Sequence, residues 1–194
     1  VSTSRFEHLG DEPRHQGYLW RVVTGRFRAP DGVEFTRDVV RSPGAVGVLP
    51  LWRDTTGCVR VLLIRQYRPV MDRYVVEIPA GMRDVPGESP AATALRELIE
   101  EAGLNAQQVT PLLDMIPSPG MTDGTTMVFV ATGLTSVPSQ AHGPEEEHLE
   151  LLEMDLDDAI ADIDRGVITD AKTVVALLMT SRQVSSGVLA VPSR

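Results

Sequence analysis

Apolar and polar residues alternate in two runs near the start of the chain, YLWRVVTGRF and VEFTRDVV, between Gly17 and Val40. Alternation marks a strand with one face covered, and Pro30-Asp31-Gly32 between the runs is a turn sequence, so a hairpin is predicted. Two strands cannot bury their own apolar face, so this hairpin should pack on the main domain or on a second subunit. Residues 1–16 are polar and mixed and predict a mobile start. Further strands are predicted at 44–51 (GAVGVLPL), 59–68 (VRVLLIRQYR), 109–116 (VTPLLDMI) and 125–132 (TTMVFVAT). A turn at Asp54–Gly57 joins the first two. YVVEIPAG, residues 74–81, leads into a loop. SPGMTDG is a second loop, residues 133–148 form a long third one, and HLELLEM returns as a strand.

The period changes to 3.6 in three places. Residues 156–165 and 170–184 read as helices, the second capped by Asp170. The helix 90–102 has the clearest boundaries: Ser89 suits the N-cap, Pro90 the first helical position, and Gly103 the left-handed position past the end. Leu95, Leu98, Ile99 and Ala102 make its core stripe, while Glu97, Glu100 and Glu101 fall on the opposite side. Strands before, between and after helices give an α/β (α+β) fold, a mixed sheet sandwiched between helices. The expected division is an N-terminal arm, residues 1–43, and a main domain, residues 44–194.

Composition narrows the function. A net charge of −9 over 194 residues argues against nucleic-acid binding through a basic surface, and an anionic substrate would need local cations. Cys58 is the only cysteine, so no internal disulfide forms. No apolar run reaches membrane-spanning length and no signal peptide is visible, so the cytoplasm is the expected location. Within this background the acidic end of helix 90–102 stands out. Glu100 and Glu101 sit in the last turn, where the helix dipole disfavours negative charge by roughly 0.3–1 kcal/mol each. Only Arg96, four residues before Glu100, is placed to relieve them. A bound cation would, and carboxylate oxygens suit magnesium or manganese.

The order Gly81, Glu88, Arg96-Glu97-Leu98, Glu100-Glu101, Gly103-Leu104 resembles the signature of the Nudix hydrolases, G-x5-E-x7-R-E-U-x-E-E-x-G-U, with U a bulky aliphatic. One spacing departs from it: six residues, 82–87, separate Gly81 from Glu88. The addition lies in the loop and leaves the helix face intact. The resemblance implies a Nudix fold and magnesium-dependent attack of water on a diphosphate. It implies Glu97 and Glu101 as the main metal ligands, with Glu100 sharing a second ion and the Ala80 carbonyl as a backbone ligand. Arg96 would orient these carboxylates, and Glu88 would tie the loop to the helix.

Outside the signature, the chain is similar to the ADP-ribose pyrophosphatase branch. Pro119 lies 16 residues after Gly103, and RQYRP (65–69) and EIPAG (77–81) match its substrate strands. The resemblance implies Arg68 on the diphosphate or ribose and Glu77 on ribose hydroxyls. It implies adenine-stacking aromatics from the arm, for which Trp20 and Phe35 are candidates, and arginines such as Arg37 and Arg68 converging at the dimer interface to hold the anion. Its late-loop glutamate, which activates or positions the water, corresponds to Glu146 or Glu147, between which the sequence does not choose. One acidic position after the SPG loop is missing, leaving Asp123. The activity implied is hydrolysis of ADP-ribose to AMP and ribose 5-phosphate by a homodimer with exchanged arms. The alternatives are another nucleoside diphosphate sugar as substrate, or a non-catalytic module that senses a nucleotide.

Overall fold

In the computed structural model, which describes residues 5–139 and 148–193, the chain forms two units. The smaller holds the residues up to Gly44 together with Ile116–Thr125, and the larger holds Ala45–Met115 and the chain from Thr126 onward.

The smaller unit is an antiparallel sheet in the order β1 (Glu7–Gln16), β2 (Arg21–Arg28), β3 (Glu34–Arg41). The β2–β3 pair is the predicted hairpin, and Gly32 at φ +90° makes the turn. β1 is a third strand within the stretch 1–16, where no strand was predicted; the start of that stretch, residues 1–4, on which the expected mobility falls, lies outside the described residues. Eight of the ten residues of β1 are exposed, so it carries no hydrophobic alternation from which a strand could be read. Backbone pairing with β2 and ion pairs such as Arg28–Glu7 (2.8 Å) hold it. Register shifts between His8 and Gly10 and between Pro13 and His15 break the ladder of this edge strand, where a proline is tolerated.

The larger unit contains β4 (Ala45–Arg53), β5 (Val59–Arg68), β6 (Arg73–Glu77), β7 (Ala80–Met82), α1 (Pro90–Ala102), β8 (Leu104–Met115), β9 (Thr126–Ser136), β10 (Glu150–Asp155), α2 (Leu156–Asp164) and α3 (Ala171–Ser185). Its sheet runs β10-β5-β4-β9-β8, with β6 on β5 and β7 on β4. β4 and β9 are parallel and the other pairs antiparallel, so the sheet is mixed, as expected. β4 is apolar almost throughout because both its faces are covered. Val46 and Val48 share a core with Ala94, Leu98 and Ala102 of α1. Leu49 and Leu51 share the opposite core with Leu156 and Ala159 of α2 and Ala176 and Leu177 of α3.

Pro50 sits in this central strand without breaking it. Its nitrogen faces the same edge as that of Val48, whose N–H donates to the Pro79 carbonyl at 2.9 Å. Along that edge the β7 ladder ends at Gly47 and the β5 ladder begins at Leu51. The missing donor falls in the gap between them. This split of β4 between two partners divides the predicted segment 74–81 into β6 and β7.

Other boundaries move outward. β8 starts at Leu104, directly after Gly103, and not at residue 109. β9 continues to Ser136, so residues 133–136 belong to a strand and not to the long loop. Both extensions are stretches that pair with each other, Leu104 with Ser136 and Ala106 with Leu134. Glu145, Glu146 and Glu147 lie outside the described residues. Among the described residues, no helix is long and apolar enough to cross a membrane.

Candidate active site

Both ends of α1 are fixed locally. The Ser89 hydroxyl accepts the Ala92 N–H at 3.2 Å, and Pro90 opens the first turn. At the other end Gly103, at φ +60°, donates its N–H to the Ile99 carbonyl at 3.0 Å. The Ser139 hydroxyl donates to the Glu100 carbonyl at 2.6 Å, satisfying one of the orphan acceptors of the last turn.

The face of α1 differs from the simple two-sided reading. Leu98 and Ala102 are buried as expected, joined by Thr93 and Ala94, but Leu95 and Ile99 are only half-buried. Glu97 and Glu101 are buried too, 7% and 6% exposed. The reason is a second covering element. The segment at β7 lies against the acidic side, and the Ala80 N–H donates to Glu101 Oε2 at 2.8 Å. A Cβ on Gly81 would lie 2.1 Å from the Glu97 carboxyl carbon. Only glycine leaves room for that carboxylate.

Arg96 lies among the carboxylates. Its Nη1 is 2.8 Å from Glu97 and 2.9 Å from Glu100, and its Nε is 3.4 Å from Glu88. Burial works against the charged guanidinium, yet Glu97, Glu88 and Glu100 outweigh it and raise its pKa further. The donor set offered here is all carboxylate oxygen on a rigid helix, with a glycine cradle beside it. That fits a hard divalent cation such as magnesium or manganese.

On β5 and β6, Arg68 and Glu77 form a forked pair, Nε to Oε1 at 2.6 Å and Nη2 to Oε2 at 2.8 Å. Glu77 is 2% exposed and also pairs with Lys172 of α3. Burial alone would push the Glu77 carboxyl up. The Arg68 hydrogen bonds and the Lys172 charge outweigh it and hold the group below the usual range. Lys172 and its neighbour Thr173 were not singled out by the sequence. Asp170 was, as a cap, and its carboxylate accepts the Thr173 N–H at 3.0 Å.

Trp20, Phe35, Arg37 and Pro119 belong to the smaller unit. Arg37 and Pro119 line one hollow of about 380 Å³ there, with Phe27 and Arg41. Phe35 stacks on Phe27 at 5.5 Å between centroids, and Arg37 lies 4.9 Å over the Phe35 ring. Trp20 is 52% exposed. Asp123 pairs with Arg41 at 3.1 Å and accepts the Ser42 N–H at 3.1 Å.

A separate grouping, Asp54, Cys58 and Asp155, brings ligand atoms within 4.8 Å of one another at the β4–β5 turn. There Asp54 accepts the N–H groups of Thr56 and Cys58 and so holds the turn, while Asp155 at the end of β10 pairs with Arg60 of β5.

Comparison with known proteins places this chain among relatives that match most of its length. A protein from Bacillus methanolicus named Methanol dehydrogenase activator is 38% identical over 83% of this chain and 84% of its own length. The ADP-ribose pyrophosphatase of Bacillus subtilis is 36% identical over 76% and 77%. A crystal structure of an ADP compounds hydrolase superposes with a TM-score of 0.79 over 96% of this chain and 98% of its own, at 22% identity, which shows a shared fold. The NUDIX domain model matches residues 41–177, a span that takes in the glycine cradle, the carboxylate helix and the first turn of α3, and the chain belongs to the Nudix family.

Proposed function

We propose that this protein hydrolyses the diphosphate of ADP-ribose to AMP and ribose 5-phosphate, with magnesium as its metal and manganese as a substitute. The observation that carries the reading is the pair of buried carboxylates, Glu97 and Glu101, gathered on the Ala80–Gly81 segment. A relative at 36% identity named ADP-ribose pyrophosphatase supports the choice of substrate.

In this reading Glu97, Glu101, Glu100 and the Ala80 carbonyl hold the metal. When bound, magnesium neutralises the diphosphate and acidifies water. The protein's own groups do the rest. Arg96 fixes the carboxylates so that they need not reorganise. Gly81 keeps a side chain out of their space. Arg68 offers a planar fork to phosphate oxygens, with Glu77 holding its orientation. Trp20, Phe35, Arg37 and Pro119 serve the nucleoside half, and Glu146 or Glu147 positions the water. The working form is a cytoplasmic homodimer.

The test is a panel of ADP-ribose and other nucleoside diphosphate sugars, with and without magnesium, with products identified by mass. ADP-ribose should give the highest kcat/KM, and chelation should abolish it. A higher kcat/KM for another sugar nucleotide would change the substrate and keep the class. No hydrolysis of any member would leave a nucleotide-sensing module.

A further inference from the structure

α3 begins about 70 residues after α1 ends, yet its first turn reaches the candidate site by two routes. The first is through the backbone. The fully buried Thr173 hydroxyl accepts the Ile78 N–H at 2.8 Å and donates to Asp170 at 2.7 Å. Ile78 is two residues before Ala80, whose N–H holds Glu101. The second route is through side chains. Lys172, 15% exposed at its side chain, pairs with Glu77 and lies 3.1 Å from Asp170. Glu77 in turn grips Arg68 by both oxygens. Space for this arrangement comes from Gly47 of β4, where a Cβ would lie 2.8 Å from Ile78 Cδ1 and 3.6 Å from Lys172 Cδ.

We propose that the first turn of α3 is a positioning element of the active site: Lys172 aims Arg68 at the substrate through Glu77, and Thr173 sets the Ala80 backbone, and with it the metal-binding carboxylate Glu101, through Ile78. The inference rests on the diphosphatase reading for its substrate half and on the carboxylate site for its metal half. The two routes meet at Asp170 but run through different side chains, Lys172 and Thr173, which can be altered one at a time. Lys172 divides the charge of Glu77, which otherwise falls wholly on Arg68. Removing it leaves Arg68 bound more tightly inward and less available to phosphate. Removing the Thr173 hydroxyl leaves the Ile78 N–H buried and unsatisfied, so the segment carrying Ala80 shifts to find a partner.

The experiment compares Lys172→Met, Lys172→Arg, Thr173→Val and Thr173→Ser in the full chain. It measures the thermal midpoint, manganese affinity by electron paramagnetic resonance, and kcat and KM on the best substrate of the panel. Lys172→Met should raise KM about tenfold, change kcat less and leave manganese affinity at the wild-type value. Lys172→Arg should restore most of the KM. Thr173→Val should weaken manganese about tenfold, and Thr173→Ser, which keeps the hydroxyl, should recover it. A purely structural turn would instead lower the midpoint and depress every parameter together. That pattern, or an unchanged KM in folded Lys172→Met and unchanged manganese affinity in folded Thr173→Val, overturns the proposal. The manganese titration needs no turnover, so a wild type that leaves ADP-ribose intact overturns the substrate reading while the Thr173 arm is still decided.

Discussion

At the scale of single residues, the site depends on a contact that only glycine permits. The group a Gly81 Cβ would meet is the far end of the flexible Glu97 side chain, not backbone. Gly81→Ala should therefore fold, with its thermal midpoint moved by no more than about 2–4 °C. The carboxylate must nevertheless swing away. Activity and manganese affinity should each fall at least about tenfold, read by turnover assay and metal titration. A fully active Gly81→Ala would mean that the position of Glu97 does not matter. Glu101→Gln tests charge rather than position. The amide oxygen can still accept the Ala80 N–H, and a buried negative charge at the helix's negative end is removed, so stability should hold or rise slightly. Turnover should drop by about 100-fold or more. Comparison of the midpoints without magnesium, together with the rate, separates the two effects.

At the scale of elements, β1 is held by charge where other strands are held by a core. Asp11 on β1 accepts two hydrogen bonds from Arg41 on β3, at 2.8 and 2.9 Å, and lies 2.7 Å from His8. The Arg41 hydrogen bonds hold the Asp11 carboxyl down at about 2, against an ordinary 3.8. A depressed carboxylate contributes stability that is complete above its unfolded value and is lost as pH falls through its folded one. Hydrogen-exchange protection of Glu7–Gln16 should thus hold at neutral pH and decline between about 4 and 2. Arg41→Met should lower it already at pH 7. Protection that ignores both changes would show that backbone pairing alone secures the strand. The same element marks the limit of sequence reading. The caps of α1 were legible because Ser89, Pro90 and Gly103 act on their own neighbours. β4 was legible because both its faces are apolar. β1 was not, since its residues face solvent. The burial of Glu97 and Glu101 was hidden for another reason: it depends on β7 lying against α1, a contact such as Ala80–Glu101 between residues 21 apart, which local periodicity does not show. Lys172 was hidden because its partner Glu77 lies 95 residues away.

At the scale of the whole molecule, the connections and flanks of the three-stranded sheet leave apolar side chains exposed. Tyr18 is 96% exposed, Phe6 65%, Val33 59% and Trp20 52%, while Val23 is the one hydrophobic residue of β1–β3 that is buried. Single exposed apolar residues are ordinary, but Tyr18 and Trp20 stand together in the connection from β1 to β2, and that pair of exposed aromatic side chains points to an interface. A second copy is the proposed cover, giving twice 21.1 kDa by light scattering. Charge makes this assembly testable in a second way. Each chain carries −9, so two copies repel at long range. Salt screens that repulsion, with a Debye length of about 10 Å at 0.1 M, and leaves apolar burial intact. A dimer built on these exposed aromatic residues should therefore tighten as salt is raised, and one built on ion pairs should loosen. Sedimentation at low and high salt distinguishes these cases, and the Tyr18→Ala, Trp20→Ala double variant should shift the population to monomer. Full-length protein that is monomeric at every salt concentration and still binds ADP-ribose tightly would refute the shared interface. The carboxylate site would be untouched, because Glu97, Glu101, Arg96 and Gly81 all lie in the larger unit of one chain.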